Sequence, residues 1–367
     1  MLLGPGRLRR PGPRWHAVMN LTNLVDDAIE ISVVGSFSRI GYAVRRRLFG
    51  WAPADPDSLS GRTVLVTGPT SGLGRAATEA LAALGARVIL VGRRPDRLAD
   101  VRDALVRIHG EDRFPIVVAD VASLDSVRAA AAQILARELR LDVLVDNAGA
   151  LFPERTESPD GIEATLATMV VGPFAFIAGL LPLLRRTGRA RVIAVTSGGM
   201  YAQRLDLDDL EGTTGAYDGT RAYARAKRAQ VALIREWARR VPASEVTFTA
   251  MHPGWADTPG LSASLPAFRR LMTPILRMPA EGADTIVWLA AAGSPQVVSG
   301  RLYLDRRARP FDRIPGTHLS ADQRRRLWDQ VVRLAELADP VPAPTFAAAA
   351  HLLAIHPPTE ERHDPPA

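Results

Sequence analysis

The chain has 367 residues, 47% hydrophobic and 23% charged, with no cysteine and a formal net charge of +7. This is a globular composition with room for one large or two modest domains, and it excludes disulfides and cysteine nucleophiles. No run of about 18 apolar residues predicts a spanning helix, and the seven histidines fall in no metal-binding spacing, so no metal is expected. No basic strip interleaved with aromatics points to nucleic acid. The lack of cysteine fits a cytoplasmic protein.

Residues 1–20 carry Arg7, Arg9, Arg10 and Arg14 among glycines and prolines. They lack the apolar core of a signal peptide and are expected to be disordered, or to precede a start at Met19. From Val33, apolar residues Val33, Phe37, Ile40, Val44 and Leu48 recur at helical spacing beside Arg45-Arg46-Arg47, Phe49 and Trp51. Two readings stand: a helix docked on its own domain, or a basic amphipathic segment within residues 25–51 lying peripherally on an anionic membrane. A proline-rich linker, Pro53 to Ser60, closes this arm, giving a first unit of residues 1–59.

From Arg62 the pattern is strand, turn, helix, repeated. Strands are expected at 63–66, 88–91, 116–119, 143–145, 192–195, 247–251 and 302–304. Helices are expected at 76–84, 96–108, 125–139, 162–184, from Tyr223 to about 240, and at 281–291. Such alternation predicts an α/β fold, a Rossmann-type doubly wound parallel sheet of about seven strands flanked by helices, over residues 60–310. A C-terminal unit, 311–367, begins with a helix capped by Ser320 and Gln323. Beyond Asp339 it turns to a Pro/Ala-rich tail expected to be mobile.

The first strand feeds Thr67-Gly68-Pro69-Thr70-Ser71-Gly72-Leu73-Gly74, spaced TGxxxGxG. Glycines let backbone approach a pyrophosphate, and the helix that follows offers its N-terminal amides, so Gly68, Ser71, Gly72, Leu73 and Gly74 are candidate cofactor contacts. The second strand ends at Gly92-Arg93-Arg94. An arginine there suits a ribose 2′-phosphate, so Arg93 favours NADP(H), with NAD(H) still open; the alternative is a pair of solvated charges. Asp120, followed by Val121, stands after the third strand as an acceptor for the adenine amino group or as a turn residue.

Of the 46 Lys and Arg residues, only Lys227 is lysine. A sequence that uses arginine wherever a positive charge suffices marks, by its one lysine, a place where a compact ammonium is required. Tyr223 lies one helical turn earlier on the same face, and a nearby cation would favour phenolate and make Tyr223 a usable acid/base.

Taken together, these motifs resemble the short-chain dehydrogenase/reductase family over about residues 60–310. The resemblance rests on TGPTSGLG, Asp146-Asn147-Ala148-Gly149, Ser197, the Tyr223-Ala224-Arg225-Ala226-Lys227 stretch and Pro253-Gly254. It is strongest to retinol-dehydrogenase-like members and, within them, the dehydrogenase/reductase member 12-like group. That rests on Val195-Thr196-Ser197-Gly198-Gly199-Met200, the long spacing from Ser197 to Tyr223, and the Met251–Pro259 stretch.

The resemblance implies Tyr223 as general acid/base, Lys227 lowering its pKa and holding the nicotinamide ribose, and Ser197 hydrogen-bonding the substrate oxygen. It places Asn147, Ala148 and Gly149 beside the adenosine ribose, Pro253 and Gly254 at the cofactor, and Thr258 on the carboxamide. Two departures stand out. Asp146 occupies a place where the family often has Asn, and Met169 falls where many members carry an Asn that orders a proton-relaying water.

The expected function is transfer of a hydride between NADP(H) and a hydrophobic alcohol, aldehyde or ketone. The apolar segment from Trp255 to Pro279 either lines the pocket or caps the core. A homo-oligomer is compatible with this reading. The alternative is a cofactor-binding, weakly active or inactive relative acting as a sensor or membrane-associated partner. Tyr217 and Arg221 repeat the Tyr-to-cation spacing, but arginine cannot replace the lysine, so they are read as a decoy.

Overall fold

The computed structural model describes residues 13–110, 113–264, 266–293 and 296–341. Expectations for residues 1–12 and for the tail from 342 onward lie outside the described residues. The N-terminal arm forms α1 (Pro13–Ile31), α2 (Val33–Phe37) and α3 (Arg39–Leu48), so helix begins inside the stretch expected to be disordered. Ser32 caps α2 by accepting from the Gly35 amide, and extended backbone at Ser38 separates α2 from α3.

Seven strands run parallel: β1 (Thr63–Thr67), β2 (Arg87–Gly92), β3 (Ile116–Val118), β4 (Val143–Asp146), β5 (Ala190–Val195), β6 (Val246–Met251) and β7 (Arg301–Leu304). An eighth, β8 (Arg307–Arg309), returns antiparallel along β7, and the order is 3-2-1-4-5-6-7-8. The extra strand exists because Asp305 and Arg306 both take left-handed backbone, φ 54° and 57°, as a two-residue primed hairpin turn requires. Three residues rich in arginine gave no strand signal.

Helices α4 (Gly72–Ala83), α5 (Pro95–His109) and α12 (Pro279–Ala291) cover one face, and α6 (Leu124–Arg137), α8 (Gly172–Thr187) and α9 (Gly219–Arg240) the other. The two-residue period divides the strands between these layers. Val64, Val66, Val88 and Leu90 pack with the first group; Leu65, Ile89 and Val91 pack with the second. Both faces are thus apolar, as a parallel sheet demands. Strand order reverses between β1 and β4, which opens a crevice at their carboxyl ends.

Helix α8 continues a longer rod that starts with α7 (Ala164–Leu166) and a π-helical turn, Ala167–Val171. Pro173 has no amide to give the Met169 carbonyl four residues back, so the ladder must widen there. By length and composition the 24-residue rod could cross a membrane, but most of it is buried inside this fold. The C-terminal helix α13 (Ala321–Leu334) has the expected Ser320–Gln323 capping box. Its Trp328 lies edge-on to Phe174 at 4.8 Å and to Trp237 at 4.7 Å.

The arm is keyed into the domain by buried charge. Arg45, with a side chain 0% exposed, donates to Asp26 (2.7 Å), Glu30 (2.6 Å) and Asp305 (2.8 Å). Arg277 donates to both oxygens of Asp305 and to the carbonyls of Ser36 (2.8 Å) and Phe37 (3.0 Å). Burial would raise the pKa of Asp305, but Arg277 and Arg45 outweigh it and hold the carboxyl below its usual range. Arg45 therefore does not belong to a lipid-facing basic cluster, because three carboxylates inside the protein consume its charge. Phe49 and Trp51 are likewise engaged, under Arg307 at 4.3 Å and Arg306 at 4.9 Å. The outward face of the same helices leaves Leu21, Leu24, Ile31, Val33, Val34 and Ile40 exposed.

Candidate active site

The glycine turn between β1 and α4 is braced from β4. The Asn147 side chain donates to the carbonyls of Thr67 (2.9 Å) and Gly68 (3.2 Å), while the amides of Asn147 and Ala148 donate to the Thr67 hydroxyl (3.0 and 2.9 Å). A Cβ on Gly74 would lie 2.1 Å from the Gly68 carbonyl oxygen, so the turn can close only with glycine there. At the start of α4, Ser71 makes no side-chain cap. The first amides of this helix therefore keep their donors for an anion, as a pyrophosphate needs.

Other candidates surround this turn. Thr258, beyond β6, rests its methyl 3.2 Å from where a Gly72 Cβ would sit, and its hydroxyl accepts from the Leu261 amide (3.2 Å). Arg94 pairs with Asp96 at 2.9 Å, while Arg93 is exposed with no ion pair among the described residues. One Asp120 oxygen accepts from the Ala122 amide (3.0 Å), a turn contact that leaves the other oxygen available. Val121 is buried, its carbonyl against the backbone of Gly172. Gly254 has φ +71°, and a Cβ there would meet the Phe37 carbonyl at 2.5 Å. That glycine is dictated by the arm. The residues Gly68, Ser71, Gly72, Leu73, Gly74, Asn147, Ala148, Gly149, Pro253 and Thr258 thus share one end of the sheet.

Ser197 follows β5 by two positions and Tyr223 sits in the first turns of α9, both half-buried. Burial raises the Tyr223 pKa, and a hydrogen bond from Ser197 opposes that rise. Lys227 is 3% exposed. Its ammonium donates to the Val195 carbonyl at 2.9 Å and lies 5.7 Å from the centre of the Tyr223 ring. The expected lowering of the Tyr223 pKa by Lys227 is therefore corrected. The ammonium is turned to a backbone carbonyl, and desolvation of the phenol dominates. Desolvation also lowers the Lys227 pKa to about 8, against a raising influence from Asp146.

Behind Lys227 lie the two departures from the family pattern. A Cβ on Gly149 would stand 3.2 Å from the Met169 sulfur and 3.5 Å from the Lys227 nitrogen, so both border the same glycine. Asp146, buried at the end of β4, accepts from the Gln230 side chain at 3.1 Å. Sequence reasoning noted its identity but gave it no role; the available signal was an acid closing an apolar strand. Tyr217 donates to Glu163 at 2.9 Å, the residue that also caps α7, in keeping with its reading as a decoy.

Phe37 and His252 were not singled out as site residues. The Phe37 ring packs edge-on to His252 (4.8 Å) and Trp255 (5.9 Å) and stacks on Tyr201 (6.4 Å). A Cβ on Gly198, next to Ser197, would collide with that ring at 2.4 Å. His252 is fully buried, and burial depresses its pKa to about 3, so it is neutral. The Phe37 carbonyl also accepts from the Trp255 amide at 2.8 Å.

Trp255 opens the apolar segment, whose two ends are stapled by reciprocal backbone bonds of Trp255 and Asp257 with Arg277. Between them lie α10 (Pro259–Ser264) and α11 (Pro266–Met272), and α11 buries none of its residues; Leu271 is 78% exposed. Helix α11 therefore does not cap the core.

A family model described as short chain dehydrogenase matches residues 62–267. Dehydrogenase/reductase SDR family member 12 of Bos taurus is 38% identical over 260 residues, covering 70% of this chain and 81% of the relative. The putative daunorubicin C-13 ketoreductase DnrU of Streptomyces sp. (strain C5) is 40% identical over 274 residues, 74% of this chain and 91% of that one. A crystal structure of a putative uncharacterised protein from Mycobacterium paratuberculosis aligns with TM-score 0.61 at 26% identity, over 79% of this chain and all of that one.

Proposed function

The chain belongs to the short-chain dehydrogenase/reductase family and is an NAD(P)-dependent oxidoreductase acting on CH–OH or C=O groups; from that premise we propose that it works with NADP(H) on a hydrophobic alcohol or carbonyl compound, with Tyr223 as general acid/base. The observation that carries this reading is the convergence of Ser197, Tyr223 and the only lysine, Lys227, at the sheet end that also holds the glycine turn. The bound cofactor would supply the hydride at the nicotinamide. Ser197 orients the substrate oxygen, Tyr223 gives that oxygen its proton during reduction, and the Lys227 ammonium keeps positive charge beside the developing phenolate. The apolar side chains of Trp255, Phe268 and Leu271 on the segment from Trp255 to Pro279 favour an apolar substrate. The ketone named for the Streptomyces relative supports carbonyl reduction as the direction to assay first.

The test is NADPH consumption against a panel of medium-chain and aromatic aldehydes and ketones. Turnover on at least one member is expected. Tight NADPH binding with no turnover on any would favour the cofactor-sensing alternative, and binding of neither NADPH nor NADH would overturn the reading. Cofactor choice is tested at Arg93. Arg93→Glu should weaken NADPH binding by about 10- to 100-fold, the worth of one or two charge-assisted hydrogen bonds, and leave NADH binding within about twofold. Equal effects on both cofactors would remove Arg93 from the 2′-phosphate.

The exposed apolar face of the arm supports a second reading, peripheral contact with an anionic membrane through Leu24, Ile31 and Val34, flanked by exposed Arg46 and Arg47. Deleting residues 1–55 would be a poor test, because it also removes Asp26, Glu30, Phe37 and Arg45 from the core. The triple change Leu24→Asp, Ile31→Asp, Val34→Asp should abolish flotation with phosphatidylserine-containing vesicles and leave the melting temperature within about 2 °C, since exposed substitutions cost little stability. Flotation of this variant equal to the parent's would reject the contact.

A further inference from the structure

Beyond Tyr223 and Lys227, one buried titratable side chain at the site has no part in the chemistry described so far. Asp146 ends β4 inside a cleft between the π-helical turn, α8 and α9. From the π turn Met169 faces this cleft, from α8 Phe174 and Ile177, and from β5 Ala194, all without charge. Helix α9 supplies Gln230, whose amide donates to Asp146, and Lys227, whose charge acts on Asp146 through the same interior. Among the described residues no other charged side chain acts on Asp146.

The polar end of this cleft has hydrogen-bonding capacity to spare. Lys227 spends one of its three N–H donors on Val195. Asp146 receives one bond, from Gln230, and Gln230 Oε1 is buried without a partner among the described residues. Lys227 and Asp146 form no ion pair among the described residues, but Asp146 is in register with Ala194, the residue before the Val195 whose carbonyl holds the ammonium, and its Gln230 partner lies one turn of α9 beyond Lys227, so a water held by Gln230 Oε1 would bridge the two. The Met169 thioether, which also faces this cleft, is a poor acceptor that carries no proton.

We propose that Asp146 is a proton-relay residue for this enzyme, passing protons to Lys227 from the interior face of the site. The inference rests on the oxidoreductase reading above. In each reductive turnover the substrate carbon gains a hydride with its electron pair, and the substrate oxygen gains the Tyr223 proton, leaving a phenolate. The Lys227 ammonium restores that proton, the Asp146 carboxylic acid reprotonates the lysine amine, and solvent returns one proton to the Asp146 carboxylate. The sum is one hydride and one solvent proton per alcohol formed. Burial raises the Asp146 pKa to about 6, with Lys227 and Gln230 opposing, and Lys227 sits at about 8. Both groups can therefore exchange protons near neutral pH.

The single lysine makes a direct test available. Protein grown with lysine labelled with carbon-13 at the ε position gives one side-chain signal from Lys227, whose titration can be followed without mutating it. In Asp146→Asn, a near-isostere that keeps a partner for Gln230, the Lys227 midpoint should fall by about one pH unit through loss of its only opposing charge. NADPH affinity should stay within about twofold. With a panel substrate, kcat should fall about tenfold or more, and its alkaline limb should move to lower pH with the lysine. Adding Met169→Asn, which puts an amide in place of the thioether, should restore kcat at least threefold in the Asp146→Asn background. An unchanged Lys227 midpoint, or an unchanged kcat and alkaline limb in a parent that turns over, would overturn the relay. A lowered kcat with neither a shifted limb nor rescue would also overturn it, since that is the mark of a merely structural residue. A parent that binds NADPH and reduces nothing would count against the underlying reading, and the lysine titration would still decide the coupling.

Discussion

Tyr223→Phe should lower kcat for carbonyl reduction by about 10²- to 10⁴-fold, the usual worth of a positioned general acid, equivalent to roughly 3–5 kcal/mol of barrier. The change removes one oxygen and keeps the ring that lies 5.7 Å from Lys227, so NADPH binding and thermal stability should hold. Burial raises the Tyr223 pKa despite the Ser197 hydrogen bond, so the residue is a phenol at neutral pH, the form that donates. Reduction by the parent should then fail at alkaline pH through a different group. Lys227, brought down to about 8 by desolvation, loses its ammonium as pH rises through that value, and the rate of reduction should decline there. Oxidation of the alcohol needs the phenolate and should still be rising with pH where reduction has begun to fall. Stopped-flow NADPH fluorescence across pH 6–10, with the variant beside the parent, checks both. A variant within tenfold of the parent would remove Tyr223 from the chemistry.

The second large effect is expected far from the reacting atoms. Arg45→Ala should cost about 3–5 kcal/mol of stability, the usual result of breaking a buried ion network by removing one partner. The loss leaves Asp26, Glu30 and Asp305 facing one another in the interior. Arg309 and Arg307 (2.8 and 3.0 Å from Asp26), Arg313 beside Glu30 and Arg277 beside Asp305 remain, but none of them reaches all three acids. Arg39, half exposed and 3.7 Å from Glu281, is the control: Arg39→Ala should change stability by less than about 1 kcal/mol. The same substitution at Arg45 should also weaken turnover, because Phe37 depends on this network for its seat against Gly198 and Trp255. Urea unfolding followed by tryptophan fluorescence reads the first effect. A midpoint equal to the parent's would mean that the arm is not keyed to the domain through Arg45.

The parallel sheet was legible because short continuous apolar runs alternating with helices of ten or more residues leave few other folds, and the glycine turn because only glycine closes it. The lone lysine pointed to the site for a reason of chemistry, namely that a wide, planar guanidinium does not replace a compact ammonium on a slim stem. Three things were not legible. Arg45 looks identical to Arg46 and Arg47 in sequence, and only the approach of Asp26 and Asp305, the latter 260 positions away, makes it a core residue. Phe37 sits on an amphipathic face like its neighbours, yet it is the one that enters the domain. A lowered Tyr223 pKa was expected from its spacing to Lys227, whereas the net shift is upward because desolvation of the phenol dominates.

The central claim, hydride transfer to a carbonyl carbon assisted by Tyr223, is tested most directly with NADPH deuterated at C4. Incubated with a reducible panel ketone, the parent should give an alcohol carrying one deuterium on its carbinol carbon, seen by mass spectrometry, and Tyr223→Phe should give almost none in the same time. Alcohol without deuterium from either C4-labelled face, or no alcohol from any panel carbonyl while NADPH binds tightly, would contradict the account.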